Sequence, residues 1–141
     1  MTNRDMALGH LRQAEIRLQT ARFAREQGQW PFAVRQAQEC VELALKAGLN
    51  VVGLDPPKWH DVGVILQQER RRFPEWFAKD VDLMAYRSRK LADDRERSMY
   101  GSAELSLPAH EIFGELDARE AVTAADETFA AVKRLVEGQA K

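Results

Sequence analysis

The chain has one cysteine, Cys40, and three histidines among its 141 residues. A single cysteine excludes an internal disulfide and leaves no sulfur pair for a structural zinc site. His10 and His110 have no partner at the spacing of metal ligands, so we expect neither a metal nor a cofactor. Cys40 lies in an apolar stretch, where a small buried side chain is favoured over a reactive thiol.

Long hydrophobic runs are also missing. No stretch approaches the roughly 20 apolar residues of a membrane-spanning helix, and residues 1–5 lead into no signal peptide. We therefore expect a cytoplasmic protein without a membrane partner. The formal net charge is only −1, so any site for anions must be a local basic patch.

The pattern that is present is helical. The length fits a single domain, residues 1–141, and no segment shows the alternation of a strand. Apolar residues instead recur at steps of three and four, which indicates amphipathic helices. The three clearest stripes are Leu11, Ala14, Leu18 and Ala21; Val34, Ala37, Val41 and Ala44; and Ala118, Val122, Ala125, Phe129, Val132 and Val136.

Glycines and prolines divide the chain into segments. Gly28 and Gly48 are the expected ends of helices near 5–27 and 31–48, and Pro31 is expected at the start of the second. The prolines and glycine of residues 50–59 predict a loop. A short third helix is expected from His60 onward.

The second half of the chain continues this pattern. Residues 73–77 form an aromatic joint that leads into helix four, at about 75–99, which Tyr100-Gly101 ends. An irregular segment follows over 101–116, and Asp117 with Glu120 resembles a capping box that opens the last helix. The sequence thus predicts an all-α fold, an up-and-down four-helix bundle with a short additional helix.

Three stretches together resemble one known family. They are residues 30–47 on helix two, His60-Asp61-Val62 at helix three, and Arg95-Glu96-Arg97-Ser98-Met99-Tyr100-Gly101 at the end of helix four. In this order and spacing they resemble the HEPN domain family over residues 8–136. The resemblance implies a helical bundle that forms a homodimer, with a cleft near the ends of helices two and four. It also implies nucleotide or RNA binding and, as for many members, a minimal nucleotidyltransferase partner in a toxin–antitoxin pair.

The chain departs from the family pattern at one position. Active members are metal-independent ribonucleases in which Arg is followed, after four to six residues, by His. After Arg95 the corresponding positions hold Tyr100 and Gly101, and no histidine follows Arg97 at this spacing either. Cleavage of RNA needs proton transfers, for which His is the usual group near neutral pH. The variant Arg-x4-Tyr-Gly therefore favours binding over catalysis.

Arg95 and Tyr100 are the leading site candidates, whether for binding or for catalysis. Arg offers a planar charged fork for phosphate, and Tyr offers a hydroxyl and a ring. Five residues apart they lie about 140° apart on a straight helix, so they converge only if helix four ends or bends between them. The alternative is that Arg95 pairs with a carboxylate while Tyr100 packs at the helix end.

Four more residues complete the candidate binding site. Arg97 adjoins Tyr100, and the resemblance places Gln36 and Glu39 of helix two in the cleft. His60 is a family-like histidine at the start of helix three, with a capping role as its alternative. The other basic residues of 70–97 fit a solvated surface with intrahelical pairs.

Several smaller expectations accompany this site. Helical spacing predicts a Glu42–Lys46 pair and, on helix four, a pair of Asp93 with Arg97. The aromatic residues Trp59, Phe73, Trp76 and Phe77 are expected in the core or a dimer interface rather than in base stacking.

Three functional hypotheses remain open. The leading one is a homodimeric module that binds a nucleotide or RNA and acts with a nucleotidyltransferase, whose nucleotidyl group the motif tyrosine can accept in this family. A ribonuclease with a degenerate site is the second, which leaves open whether the protein is an enzyme. A structural dimerisation adaptor without a ligand is the third.

Overall fold

The computed structural model describes residues 3–138. Within this range the fold is an all-α bundle, as the sequence predicts. The helices are α1 (Asn3–Glu26), α2 (Trp30–Val51), α3 (Gly63–Gln68), α4 (Glu75–Ala78), α5 (Val81–Tyr100), α6 (Ala109–Ile112) and α7 (Glu115–Gly138), with a 3₁₀ turn at Arg70–Arg72. Four of them, α1, α2, α5 and α7, have 20 or more residues. The described residues thus contain three short helices rather than the one expected.

The four long helices pack around a core that α2 occupies centrally. α2 contacts α1, α7 and α5 along its length, and all residues of the three predicted apolar stripes are buried. Much of this core is alanine and valine, which lets helices approach closely. The assignment of residues 1–141 to a single domain stays a prediction.

Two glycines of the α2 region have roles that the sequence did not separate. Gly48 was expected to end the helix, but it is buried within it and faces Val132 and Leu135 of α7, so that a Cβ would meet them at 3.8–3.9 Å. The helix ends instead before Gly53, whose φ of +87° is the left-handed conformation of a C-terminal cap. Gly28 caps α1 as predicted, with a φ of +71°.

Helix three begins later than expected. α3 starts at Gly63, because Asp61 accepts a hydrogen bond from the Gly63 N–H (2.9 Å) and so ends the preceding loop. His60 therefore lies in the loop, not at a helix start. A Cβ on Gly63 would lie 2.9 Å from the Ala85 carbonyl oxygen, so the close approach of α3 to α5 needs this glycine.

The expected helix four is two helices. α4 and α5 are separated by Lys79 and Asp80. At α4, Phe73 and Phe77 stack at 4.7 Å between ring centroids, and Trp76 meets Phe77 edge-on at 5.8 Å. Trp59 was expected in the core or a dimer interface; its side chain is exposed and so is not in the core.

The segment after α5 is more ordered than expected. Gly101 ends α5 as predicted, Ser102 and Leu107 form an antiparallel bridge, and α6 follows. α7 begins at Glu115, where Asp117 accepts a hydrogen bond from the Gly114 N–H (2.8 Å). Asp117 thus sits in the third helical position rather than at the cap. No helix between residues 3 and 138 is long and apolar enough to cross a membrane.

Candidate functional site

A row of polar residues runs along α2, which is otherwise lined with apolar side chains. We call Gln38, Glu39, Glu42 and Lys46 the polar row. Gln38, Glu42 and Lys46 follow one another at steps of four residues, and Glu39 is three residues before Glu42, so the four lie on one side of the helix. Gln38 and Lys46 are buried. Buried polar groups need partners, and the row finds them on three other parts of the chain.

Glu39 collects three arginines. Its carboxylate lies 3.3 Å from Arg17 Nε of α1, 3.3 Å from Arg35 Nε of α2 and 3.8 Å from Arg95 Nη1 of α5. Gln36 Nε2 also donates to it at 3.5 Å. One carboxylate therefore leaves an excess of positive charge around it.

Arg95 is held by Gln38. Its Nη1 donates to Gln38 Oε1 at 2.6 Å, and the same nitrogen faces Glu39. Because both contacts come from α2, Arg95 ties α5 to the polar row. The alternative of a carboxylate partner is thus the observed contact, with an amide added to it.

Glu42 is the centre of the other half of the row. Its Oε1 accepts from Gln38 Nε2 (2.9 Å) and lies 2.8 Å from His60 Nδ1, and its Oε2 accepts from Lys46 Nζ (2.9 Å). Burial raises the pKa of Glu42, but the hydrogen bonds from Lys46, Gln38 and His60 lower the pKa more, so the group stays ionised. The predicted Glu42–Lys46 pair is confirmed, and His60, in the loop before α3, is held by the same carboxylate.

Tyr100 lies on a different face from Arg95. α5 continues without a break to Tyr100, so the bend that would bring the two together is absent between them. Tyr100, which is 74% exposed, lines a groove of about 400 Å³ with Phe32, Arg35 and His110. We call this the Tyr100 groove. It lies between the start of α2, the end of α5 and α6.

Arg35 connects the two parts. It lines the Tyr100 groove and forms the ion pair with Glu39. Arg95 contacts the same carboxylate from the opposite helix. The two predicted residues are therefore linked through Glu39 and Arg35, not by direct contact.

Arg97 belongs to neither part. Its Nη2 donates to Asp94 Oδ1 at 2.7 Å, while Lys90 Nζ donates to the other oxygen of Asp94 at 3.1 Å. Burial lowers the pKa of Lys90, but the bond to Asp94 raises it more. Arg97 therefore pairs with Asp94, three residues before it, and not with the expected partner Asp93, which is exposed.

The residues that sequence reasoning missed are Gln38, Arg35, Phe32 and His110. Gln38 gave one available signal, since a glutamine next to an apolar stripe needs a partner. Phe32 and Arg35 are neighbours three residues apart on α2, and His110 joins them only through the packing of α6 against the start of α2. Among residues 3–138, no group of three His, Cys, Asp or Glu side chains could hold a metal ion.

The sequence model of the HEPN domain matches residues 7–135. The chain belongs to the HEPN family. No curated protein sequence matches it. Among solved structures, this HEPN protein is similar to TT1696 from Thermus thermophilus, with a TM-score of 0.73 and 25% identity over 91% of this chain and 96% of that one. It is also similar in fold to ST0689, an archaeal HEPN homologue, with a TM-score of 0.68 and 22% identity over 92% and 97% of the two chains.

Proposed function

We propose that this HEPN protein is a homodimer that binds a nucleotide or RNA and acts with a separately encoded nucleotidyltransferase, as a toxin–antitoxin-like pair. The observation that carries the proposal is the local charge of the site. Arg17, Arg35, Arg95 and Lys46 surround two carboxylates, Glu39 and Glu42. This positive excess occurs in a chain of net charge −1, so an anion is drawn to this face.

Ligand binding is tested by stability. A ligand at about one hundred times its Kd raises the unfolding free energy by about 2.7 kcal/mol. We expect a thermal shift with ATP, AMP or a short RNA that disappears at high salt, because screening weakens phosphate contacts. If no member of such a panel shifts the melting temperature at low salt, the adaptor hypothesis replaces this one.

Tyr100 is the proposed acceptor of the nucleotidyl group. Its hydroxyl oxygen would form a bond to the α-phosphorus of a nucleoside triphosphate, the bond to pyrophosphate would break, and the phenolic proton would pass to a base of the partner enzyme. The 74% exposure of Tyr100 and the neighbouring Arg35 suit this role. With the nucleotidyltransferase encoded nearest to this gene and ATP, mass spectrometry should find one added nucleotidyl group on Tyr100. Tyr100→Phe should lose it and Tyr86→Phe should keep it; modification elsewhere would refute the assignment.

The proposed dimer surface is the groove between α5 and α7, of about 530 Å³. Leu83, Tyr86 and Leu116 line it with large exposed side chains. Three basic and three acidic residues also line it, namely Arg87, Lys90, Arg119, Asp94, Asp117 and Glu120. A twofold contact must be complementary to itself, and because the surface carries equal numbers of both signs, two copies of it do not repel each other by net charge.

The dimer is tested by light scattering during size-exclusion chromatography. We expect Leu83→Glu to shift the protein toward the monomer, because a charge in an apolar contact is costly. Ile16→Glu, on an exposed part of α1, is the matched control. A wild-type monomer, or equal effects of both variants, would contradict this surface.

A ribonuclease remains the second candidate, and one observation favours it. The Nδ1 of His60 is bound by Glu42, and the His60 side chain is half exposed, so its Nε2 could exchange a proton with a substrate. This hypothesis predicts metal-independent RNA cleavage that His60→Ala and Arg95→Ala both abolish. Intact RNA after prolonged incubation with pure protein would exclude it.

A further inference from the structure

The cationic side chain in the wall of the Tyr100 groove is Arg35. The Arg35 side chain makes an ion pair from Nε to Glu39, but that Nε has no hydrogen-bond acceptor in suitable geometry although it is buried. Arg35 Nε is therefore held by charge attraction to Glu39 rather than by a hydrogen bond. By contrast, Arg95 donates to Gln38 and Arg97 to Asp94. Of these three arginines, only Arg35 lines the Tyr100 groove, and within residues 3–138 its one ion pair is with Glu39, so its guanidinium is the one placed to bind an added anion there.

Aromatic rings stand beside this cation. Phe32 is 44% exposed and Tyr100 is 74% exposed, although aromatic side chains favour burial. Both line the groove with Arg35, and His110 lies on its α6 side. Exposed rings next to an arginine form the combination that binds a nucleobase by stacking and its phosphate by charge.

The start of α2 adds a second source of positive potential to the groove. Phe32 follows Pro31 in the first turn of a 22-residue helix, and Gln29 provides no side-chain cap. The positive end of the helix dipole therefore opens toward the groove. The volume of about 400 Å³ lies at the lower end of the range of small-molecule sites, which suits a single nucleotide.

From these observations we infer that the Tyr100 groove is the binding site of a nucleoside monophosphate unit, with Phe32 stacking on the base and Arg35 binding the phosphate. This inference rests on the proposed nucleotide or RNA binding and names its site. It assigns the anion to Arg35 instead of Arg95, the residue that the sequence favoured. Arg95 then acts as a positioning residue, because it shares Glu39 with Arg35.

Calorimetric titration of the full chain with AMP and adenosine tests this assignment. We expect Phe32→Ala to weaken AMP binding about 5- to 150-fold, as for the loss of one stacked base. Arg35→Gln should weaken it about 10- to 100-fold and should leave the affinity for adenosine nearly unchanged. The matched controls are Phe23→Ala and Arg89→Gln, an exposed aromatic residue of α1 and an exposed arginine of α5. Circular dichroism melts verify that each variant is folded.

A second pair of titrations distinguishes a free nucleotide from the end of an RNA as the natural ligand. A 5′-phosphorylated RNA hexamer that binds much more tightly than AMP identifies an RNA end, and equal affinities identify a free nucleotide. In both cases the Phe32 and Arg35 variants should weaken binding.

The possible failures are distinguishable. If wild type binds AMP or RNA but the Phe32 and Arg35 variants bind equally well, the assignment of the nucleotide to the Tyr100 groove is wrong and the proposed function stands. The same holds if Arg95→Gln abolishes binding while Arg35→Gln does not. If wild type binds neither AMP nor RNA, both the assigned binding site and the proposed function are wrong.

Discussion

Arg95 Nη1 donates a hydrogen bond to Gln38 Oε1 at 2.6 Å, and this contact joins α5 to the polar row of α2. Gln38 is 2% exposed, so water cannot replace the arginine. The amide also donates to Glu42 at 2.9 Å. One buried side chain thus connects the arginine half of the row to the half that holds His60.

Gln38→Leu should therefore destabilise the protein by about 1–3 kcal/mol, because it keeps the volume but removes a partner from both Arg95 and Glu42. Urea unfolding at neutral pH measures the loss. The control is Gln68→Leu on α3, where the side chain is exposed and a change within about 0.5 kcal/mol is expected. Equal losses in the two variants would contradict the importance of the buried amide.

Stability should fall in acid through Glu42. Its pKa in the folded protein lies below the ordinary value of 4.5, since hydrogen bonds from Lys46, Gln38 and His60 outweigh its burial. A depressed pKa means that the unfolded chain takes up the proton first. The stabilisation is therefore complete well above about pH 4.5 and is lost as the pH falls from there through the folded-state pKa.

Unfolding free energies measured in steps from neutral to acid pH test this dependence. Glu42→Gln should lose less stability over the acid range than wild type, although it is less stable at neutral pH. Glu96→Gln, at an exposed position of α5, should follow the wild-type curve. A Glu42→Gln curve parallel to wild type would show that this carboxylate is not the responsible group.

Two glycines should respond in opposite directions to alanine. Gly101 has a φ of +74°, and a Cβ there would lie 2.3 Å from the Leu107 carbonyl oxygen. The backbone conformation alone costs a residue with a side chain roughly 1–3 kcal/mol, so Gly101→Ala should lose at least about 2 kcal/mol once the clash is included. Gly9 lies inside α1 with nothing within 4 Å of its Cβ position, and Gly9→Ala should gain about 0.5–1 kcal/mol. Thermal melts of both variants decide; a neutral Gly101→Ala would mean that the turn after α5 can rearrange.

Helix positions followed from the sequence because burial in this fold is periodic. The stripes of α1, α2 and α7 are each buried at every predicted residue. The ends of the helices were harder to predict from the sequence. Gly48 and Gly53 look alike in a sequence, yet one gives α7 room to approach and the other caps α2, and only the position of a second helix separates these roles.

Only part of the candidate site could be predicted from the sequence, and few of its contacts could. Glu39 and Arg95 were identified as site residues, and they do face each other. The hydrogen bond of Arg95 to Gln38 was missed, because Gln38 lies beside the apolar stripe and is 57 residues away from Arg95 in the sequence. The sequence brings Tyr100 to Arg95 only if helix four ends or bends between them. α5 stays helical up to Tyr100, and residues of α2 and α6 line the groove with it.

Cys40 should be inert in the folded protein. Burial raises the pKa of its thiol to about 12, and the charge of Asp126 raises it further than Arg22 lowers it. The reactive thiolate is therefore scarce at pH 8, on the order of one molecule in ten thousand, and it is inaccessible as well. With a disulfide reagent such as dithionitrobenzoate we expect a reaction at least about 1000-fold slower than in guanidinium, where the thiol is exposed. Because the thiol then reacts only when the bundle opens, Gln38→Leu should accelerate the reaction by the factor that corresponds to its loss of stability. A native rate close to the unfolded rate, or one insensitive to Gln38→Leu, would show that Cys40 is reached without opening the core.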